Sequence, residues 1–105
     1  MIEAPLIILV QGLNDKYRLT FSDTNISGYI ILFTVTDTER QKVFMRSTAT
    51  IVNPFDLTIN AGVAEIDLSR ADTNIPLGQY LYRVTYTTDG DTYSVVNNGE
   101  LTVIK

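Results

Sequence analysis

Three acidic pairs are the side chains of this chain whose type and spacing come nearest to a reaction: Asp89 with Asp91, Asp67 with Asp72, and Asp23 near Asn25. Two carboxylates flanking a bond can hydrolyse a glycoside, and clustered oxygens can hold calcium. Each pair, however, falls where a turn is expected, and Asp and Asn favour turns because their short side chains hydrogen-bond the adjacent backbone. None has the dense Asp-x-Asp-x-Asp-Gly spacing of a dedicated calcium loop. Histidine and cysteine are absent from all 105 residues. That removes the commonest general base, the usual nucleophilic dyads, thiolate zinc sites and disulfides. The sequence reads as a non-enzyme with no cofactor, no metal and no small-molecule substrate.

Two further groups could bind rather than react. Arg40, Lys42 and Arg46 gather positive charge around one hairpin; they can dock an acidic partner, or keep a strand edge soluble and closed to strand addition. Tyr80, Tyr82, Tyr86 and Tyr93 can form a carbohydrate-binding platform, since aromatic faces stack on sugar rings, but their alternation points to core packing. Asn25-Ile26-Ser27 matches a glycosylation sequon, discounted because no secretion signal is visible.

The elements that must position these groups are strands. Apolar residues alternate with period 2 through almost the whole chain, and no stretch of a dozen residues keeps an amphipathic helical spacing. A short strand at 6–10 is followed by the turn Gly12-Leu13-Asn14-Asp15 and a strand at 16–22 in which Tyr17, Leu19 and Phe21 alternate with Lys16, Arg18 and Thr20. The strand at 29–37 is apolar on both sides in its first half, with Tyr29, Ile31, Phe33 and Val35 on one face and Ile30 and Leu32 on the other. A central strand whose outer face is covered, by a loop or a neighbouring subunit, fits that pattern. An edge strand carrying Arg46 is expected at 43–49. Asn53-Pro54-Phe55-Asp56 predicts a break, because proline cannot donate to an interior ladder, leaving a loop with a short strand near 57–59. A strand at 63–68, a one-turn helix or a crossover between the two sheets at 69–74, and a strand at 80–87 come next. Asp89-Gly90 is a two-residue hairpin turn of the I′ kind into a strand at 92–96. Asn97-Asn98-Gly99 predicts a second turn before the closing strand with Leu101 and Val103. The chain is a single domain, 1–105, and turns at intervals of about 8–12 residues predict an antiparallel β-sandwich of about seven to nine strands with Greek-key connections.

Composition limits the partners. Eight basic against twelve acidic side chains give a net charge of −4, which disfavours nucleic acid. The longest apolar run, 6–10, is far below the ~20 residues of a membrane-spanning helix, so no membrane partner is expected.

Ile75-Pro76-Leu77-Gly78-Gln79-Tyr80 resembles the tyrosine corner of immunoglobulin-like sandwiches. Taken end to end, the chain resembles the immunoglobulin-like N-terminal domain of phage upper-baseplate and tail-fibre adaptor proteins. The resemblance is carried by Gly12 through Phe21, by Ile26-Ser27-Gly28-Tyr29 ahead of Phe33-Thr34-Val35, and by Ala64-Glu65-Ile66-Asp67-Leu68 leading through Asp72-Thr73 to Leu77-Gly78-Gln79-Tyr80. It is completed by Asp89-Gly90-Asp91-Thr92-Tyr93 and Gly99-Glu100-Leu101-Thr102-Val103. It implies a structural module of the virion, attached to other virion proteins in many copies. In that family the domain begins a longer polypeptide, whereas this chain runs from Met1 to Lys105, which shifts the expectation from receptor binding toward a small adaptor or a capsid-decoration protein. The expected contact residues are Ile2, Leu6 and Ile8 on the hydrophobic first segment, Ile30 and Leu32 on the outer face, and Arg40, Lys42 and Arg46 on the basic hairpin.

Overall fold

The computed structural model describes residues 6–39 and 43–105, so Ile2, Arg40 and Lys42 lie outside the described residues. Among the described residues, eight strands and one helical turn follow one another as β1 (Ile7–Val10), β2 (Asp15–Ser22), β3 (Ile30–Thr36), β4 (Val43–Thr48), β5 (Thr50–Asp56), β6 (Ala61–Leu68), α1 (Arg70–Thr73), β7 (Gly78–Thr88) and β8 (Asp91–Ile104). They form a five-stranded sheet, β1-β8-β7-β3-β4, and a three-stranded sheet, β2-β6-β5. The chain crosses between the sheets from β1 to β2, from β2 to β3, from β4 to β5 and from β6 to β7. This is an all-β, immunoglobulin-like sandwich.

Alternation makes the core. Leu19 and Phe21 of β2 and Ala64 and Ile66 of β6 face Ile31, Phe33 and Val35 of β3, Tyr82 and Val84 of β7, and Leu101 and Val103 of β8, all buried. Tyr80 and Tyr82 are core residues. The Tyr80 hydroxyl donates to the carbonyl of Pro76 at 2.6 Å, four residues back, which makes the corner that the local sequence resembles. The tyrosines of β2 and β7 interlock: Tyr17 lies edge-on to Tyr82 with centroids 6.2 Å apart, and their phenols share a hydrogen bond.

The predicted helical turn is present, fixed by a capping box in which Ser69 Oγ accepts from Asp72 N and the Asp72 carboxylate accepts from Ser69 N. The Asp89-Gly90 turn has positive φ at both residues, +53° and +83°, as a I′ connection requires.

Four details differ from the sequence expectation. First, β1 runs parallel to β8, pairing Ile7 with Leu101 through to Val10 with Ile104, so the larger sheet is mixed and not antiparallel throughout. Second, β5 continues through Asn53-Pro54 instead of breaking. It is the outer strand of its sheet, where a missing donor costs no interior bond, and its ladder with β6 is irregular on both sides of Asn53. Third, 57–59 is part of a turn and not a strand. Fourth, Asn97-Asn98-Gly99 is not a turn, because β8 is continuous from Asp91 to Ile104. Tyr82 faces Gly99 and Val84 faces Val96, so Asn97 and Asn98 together oppose Arg83 in a bulge.

Candidate functional site

β1 forms because Ile7-Ile8-Leu9-Val10 is a run of β-branched and aliphatic residues suited to a pleated surface. Its far end is fixed where Gln11 N donates to Ile104 O at 2.8 Å and the Gln11 amide donates to Ile75 O at 2.9 Å. The alternation sends Ile7 and Leu9 into the core and leaves Ile8 53% exposed, with Leu6 56% exposed just before the strand. Val10 lies beside Ile104 in the ladder, and both are exposed on the outer face. Among the described residues β1 ends the sheet, and one side of its backbone has no strand partner there. No charged residue occurs between Leu6 and Leu13. Edge strands are ordinarily guarded by charge, proline, bulges or shortness; within β1 only shortness applies. Leu6 and Ile8 thus belong to an open apolar edge, while half of the expected contact segment is spent on the core.

Ile30 and Leu32 sit elsewhere. They lie on the outer face of β3, opposite Thr87 and Thr85 of β7, two strands removed from β8 and nearer the other end of the ladder. Ile30 is 62% exposed and Leu32 half-buried. Arg46, exposed on edge strand β4, faces Thr34, and Arg83 of β7 faces the same Thr34 from the other side. The two guanidinium stems therefore flank a buried threonine. Arg83 was missed by the sequence reading. Its signal was its place as the one charge on the face of β7 opposite Tyr82 and Val84.

The acidic residues take up structural positions. Asp67 meets Lys16 at 3.6 Å, Asp72 caps α1, Asp23 accepts from the Asn60 amide, and Asp89 and Asp91 lie at the hairpin tip. Across β2 and β6, Arg18 reaches Glu65 at 2.9 Å; its hydrogen bond, with Lys16 nearby, holds the Glu65 carboxyl below its usual range. Among the described residues no three His, Cys, Asp or Glu side chains gather as metal ligands. Asn25 of the sequon is exposed and braces its own loop, its side-chain Oδ1 accepting from Ser27 N at 2.9 Å.

The four-tyrosine platform does not form either. Tyr80 and Tyr82 are buried. Tyr86 is stacked between Tyr29 at 4.8 Å and Tyr93 at 5.2 Å, so both faces of its ring are occupied and neither is free for a sugar. Phe21 meets its edge at 6.3 Å. This stack lines an open cleft of about 300 Å³ with Thr24, Ser94 and Val95.

No protein-family model and no curated protein matches the chain. Among solved structures, the chain is similar to AggA, the major subunit of aggregative adherence fimbriae type I from Escherichia coli. The identity is 13% and the TM-score 0.48, over 99% of this chain and 93% of that one. The expectation of a bacteriophage tail, baseplate, fibre or capsid-decoration component located in the virion is corrected accordingly. AggA belongs to bacterial fimbriae and not to a virion.

Proposed function

We propose that this chain is a non-enzymatic structural module that joins other protein subunits in a multi-copy assembly through the open edge of β1. The observation that carries this reading is the edge itself: an uncharged strand with one backbone side unpaired among the described residues, flanked by the exposed apolar side chains Leu6, Ile8, Val10 and Ile104. A strand laid along β1 completes the backbone bonds, which supply affinity, while alternate side chains meet the apolar row, which supplies register.

The test places a charge where an incoming strand must lie. Ile8→Lys and Val10→Lys point outward and leave the core intact. Co-purification with native partners from the source cell, followed by hydrogen exchange of the β1 amides, should show protection that both variants lose. Unchanged partner recovery and unchanged β1 exchange in both would overturn the reading.

A further inference from the structure

We infer that the outer face of the five-stranded sheet is a self-association surface, occupied by a second copy of this chain packed face to face and antiparallel. This surface is the β7–β8 hairpin end of the face; Ile8 of β1, exposed on the same face, lies level with Thr102 and Gln79 at the opposite end.

Three observations converge. The first is an unsatisfied apolar centre: Ile30 is the second most exposed large hydrophobic side chain on a strand or loop of the described residues, and Leu32 lies next to it on the same face. The second is charge placed on one side of that centre. Arg46 and Arg83 flank Thr34, and neither has an ion-pair partner among the described residues. The third is opposite charge on the other side, where Asp89 and Asp91 bracket Gly90 at the exposed tip of the β7–β8 hairpin.

The spacing makes these self-complementary. Along β7 the outward positions run Arg83, Thr85, Thr87 and then Asp89 at the tip. Arg83 and Asp89 are about 20 Å apart at ~3.4 Å per residue, too far for an ion pair within one copy. The midpoint between them falls between Thr85 and Thr87, which pair with Leu32 and Ile30. A two-fold axis lying in the interface, across the strands at that midpoint, sets Arg83 of each copy over Asp89 of the other and Ile30 over Leu32. A closed two-fold contact of this kind uses one patch twice. The copies overlap over the ~20 Å from Arg83 to Asp89, across β8, β7, β3 and β4 at ~4.8 Å spacing, a patch smaller than the ~800 Å² per partner of a standard interface, so the dimer is a weak one. The alternative two-fold, along the strands, sets Arg83 against Arg83 and is repelled.

Charge reversal tests the arrangement. Sedimentation equilibrium of the full chain should give twice the monomer mass, with dissociation strengthened at least tenfold by Arg83→Glu, by Asp89→Lys, or by Ile30→Asp. Mixing the Arg83→Glu and Asp89→Lys proteins should restore the dimer, because each contact then joins opposite charges; so should the double variant. A wild-type chain that stays monomeric at millimolar concentration, or a dimer that neither reversal weakens, overturns the inference. Restoration failing while both singles dissociate also overturns it. Ile8→Lys, which disables the β1 edge, should leave this dimer intact, so the two surfaces fail independently.

Discussion

Gly99 lies directly beneath the ring of Tyr82, its cross-strand neighbour in the β7–β8 ladder. A Cβ on Gly99 would stand 2.2 Å from Tyr82 Cε1 and Cζ. The ring has nowhere to retreat: it is buried, stacked on Phe33 at 5.5 Å and edge-on to Tyr17. Gly99→Ala should therefore destabilise the domain by about 3 kcal/mol, the upper part of the range for overpacking a core. Each kcal/mol lowers the melting midpoint of a domain this size by about 4–8 °C. Circular dichroism melts give the answer directly, and a midpoint within two or three degrees (~2–3 °C) of wild type would show that Tyr82 can move.

The hydroxyl of Tyr80 can be removed without disturbing the packing of its ring. Tyr80→Phe loses the 2.6 Å bond to Pro76 and should cost about 0.5–1.5 kcal/mol. Urea unfolding should show a lower midpoint with an unchanged slope, since the same surface is exposed on unfolding.

Alkaline pH should unfold the domain through its buried phenols. Burial pushes the hydroxyls of Tyr82, Tyr17 and Tyr80 above their usual value, and for Tyr82 the hydrogen bond to Tyr17 adds to the effect. The unfolded chain releases these protons near pH 10, before the folded one does. Stability from this source is complete below about pH 10 and falls as pH rises toward the folded-state values. Phenolate absorbance should show part of the tyrosine population titrating late and together with loss of the fold. Tyr82→Phe should make the alkaline decline of stability shallower.

Acid acts in the opposite sense through Glu65. Its carboxyl is held low by the hydrogen bond from Arg18, aided by Lys16, so the folded state binds the proton less readily than the unfolded chain. Stability from the ion pair is present above the ordinary glutamate range and is lost as pH falls through the folded-state value. Glu65→Gln should flatten the acid limb of a stability–pH curve and reduce its sensitivity to salt. Identical acid limbs for the two proteins would remove Glu65 from the account.

Much of the sandwich was legible because short-range chemistry decided it. Tyr80, Tyr82 and Val84 alternate into the core, Asp89-Gly90 makes its hairpin turn, and Ser69 with Asp72 caps a single helical turn. What failed to show depended on neighbours distant in sequence. Pro54 reads as a strand breaker until β5 is known to be an edge. Gly99 reads as a turn residue until Tyr82 is known to lie over it. Of the expected contact residues, Leu6, Ile8, Ile30 and Arg46 are exposed and Leu32 is half-buried. Their division between the β1 edge and strands β3 and β4 is set by strand order, which local pattern does not encode. The viral attribution rested on features common to many sandwiches, and such features carry fold, not biological setting.

The parallel pairing of β1 with β8 also determines how the molecule bears load. Tension applied at Leu6 and at Ile104 pulls the two strands past each other along their length, since both run the same way from Ile7 and Leu101 to Val10 and Ile104. The evenly spaced bonds of a parallel ladder are then strained together in shear, instead of opening one at a time like a zip. A domain strung by its two ends resists stretching at the one place where those ends meet.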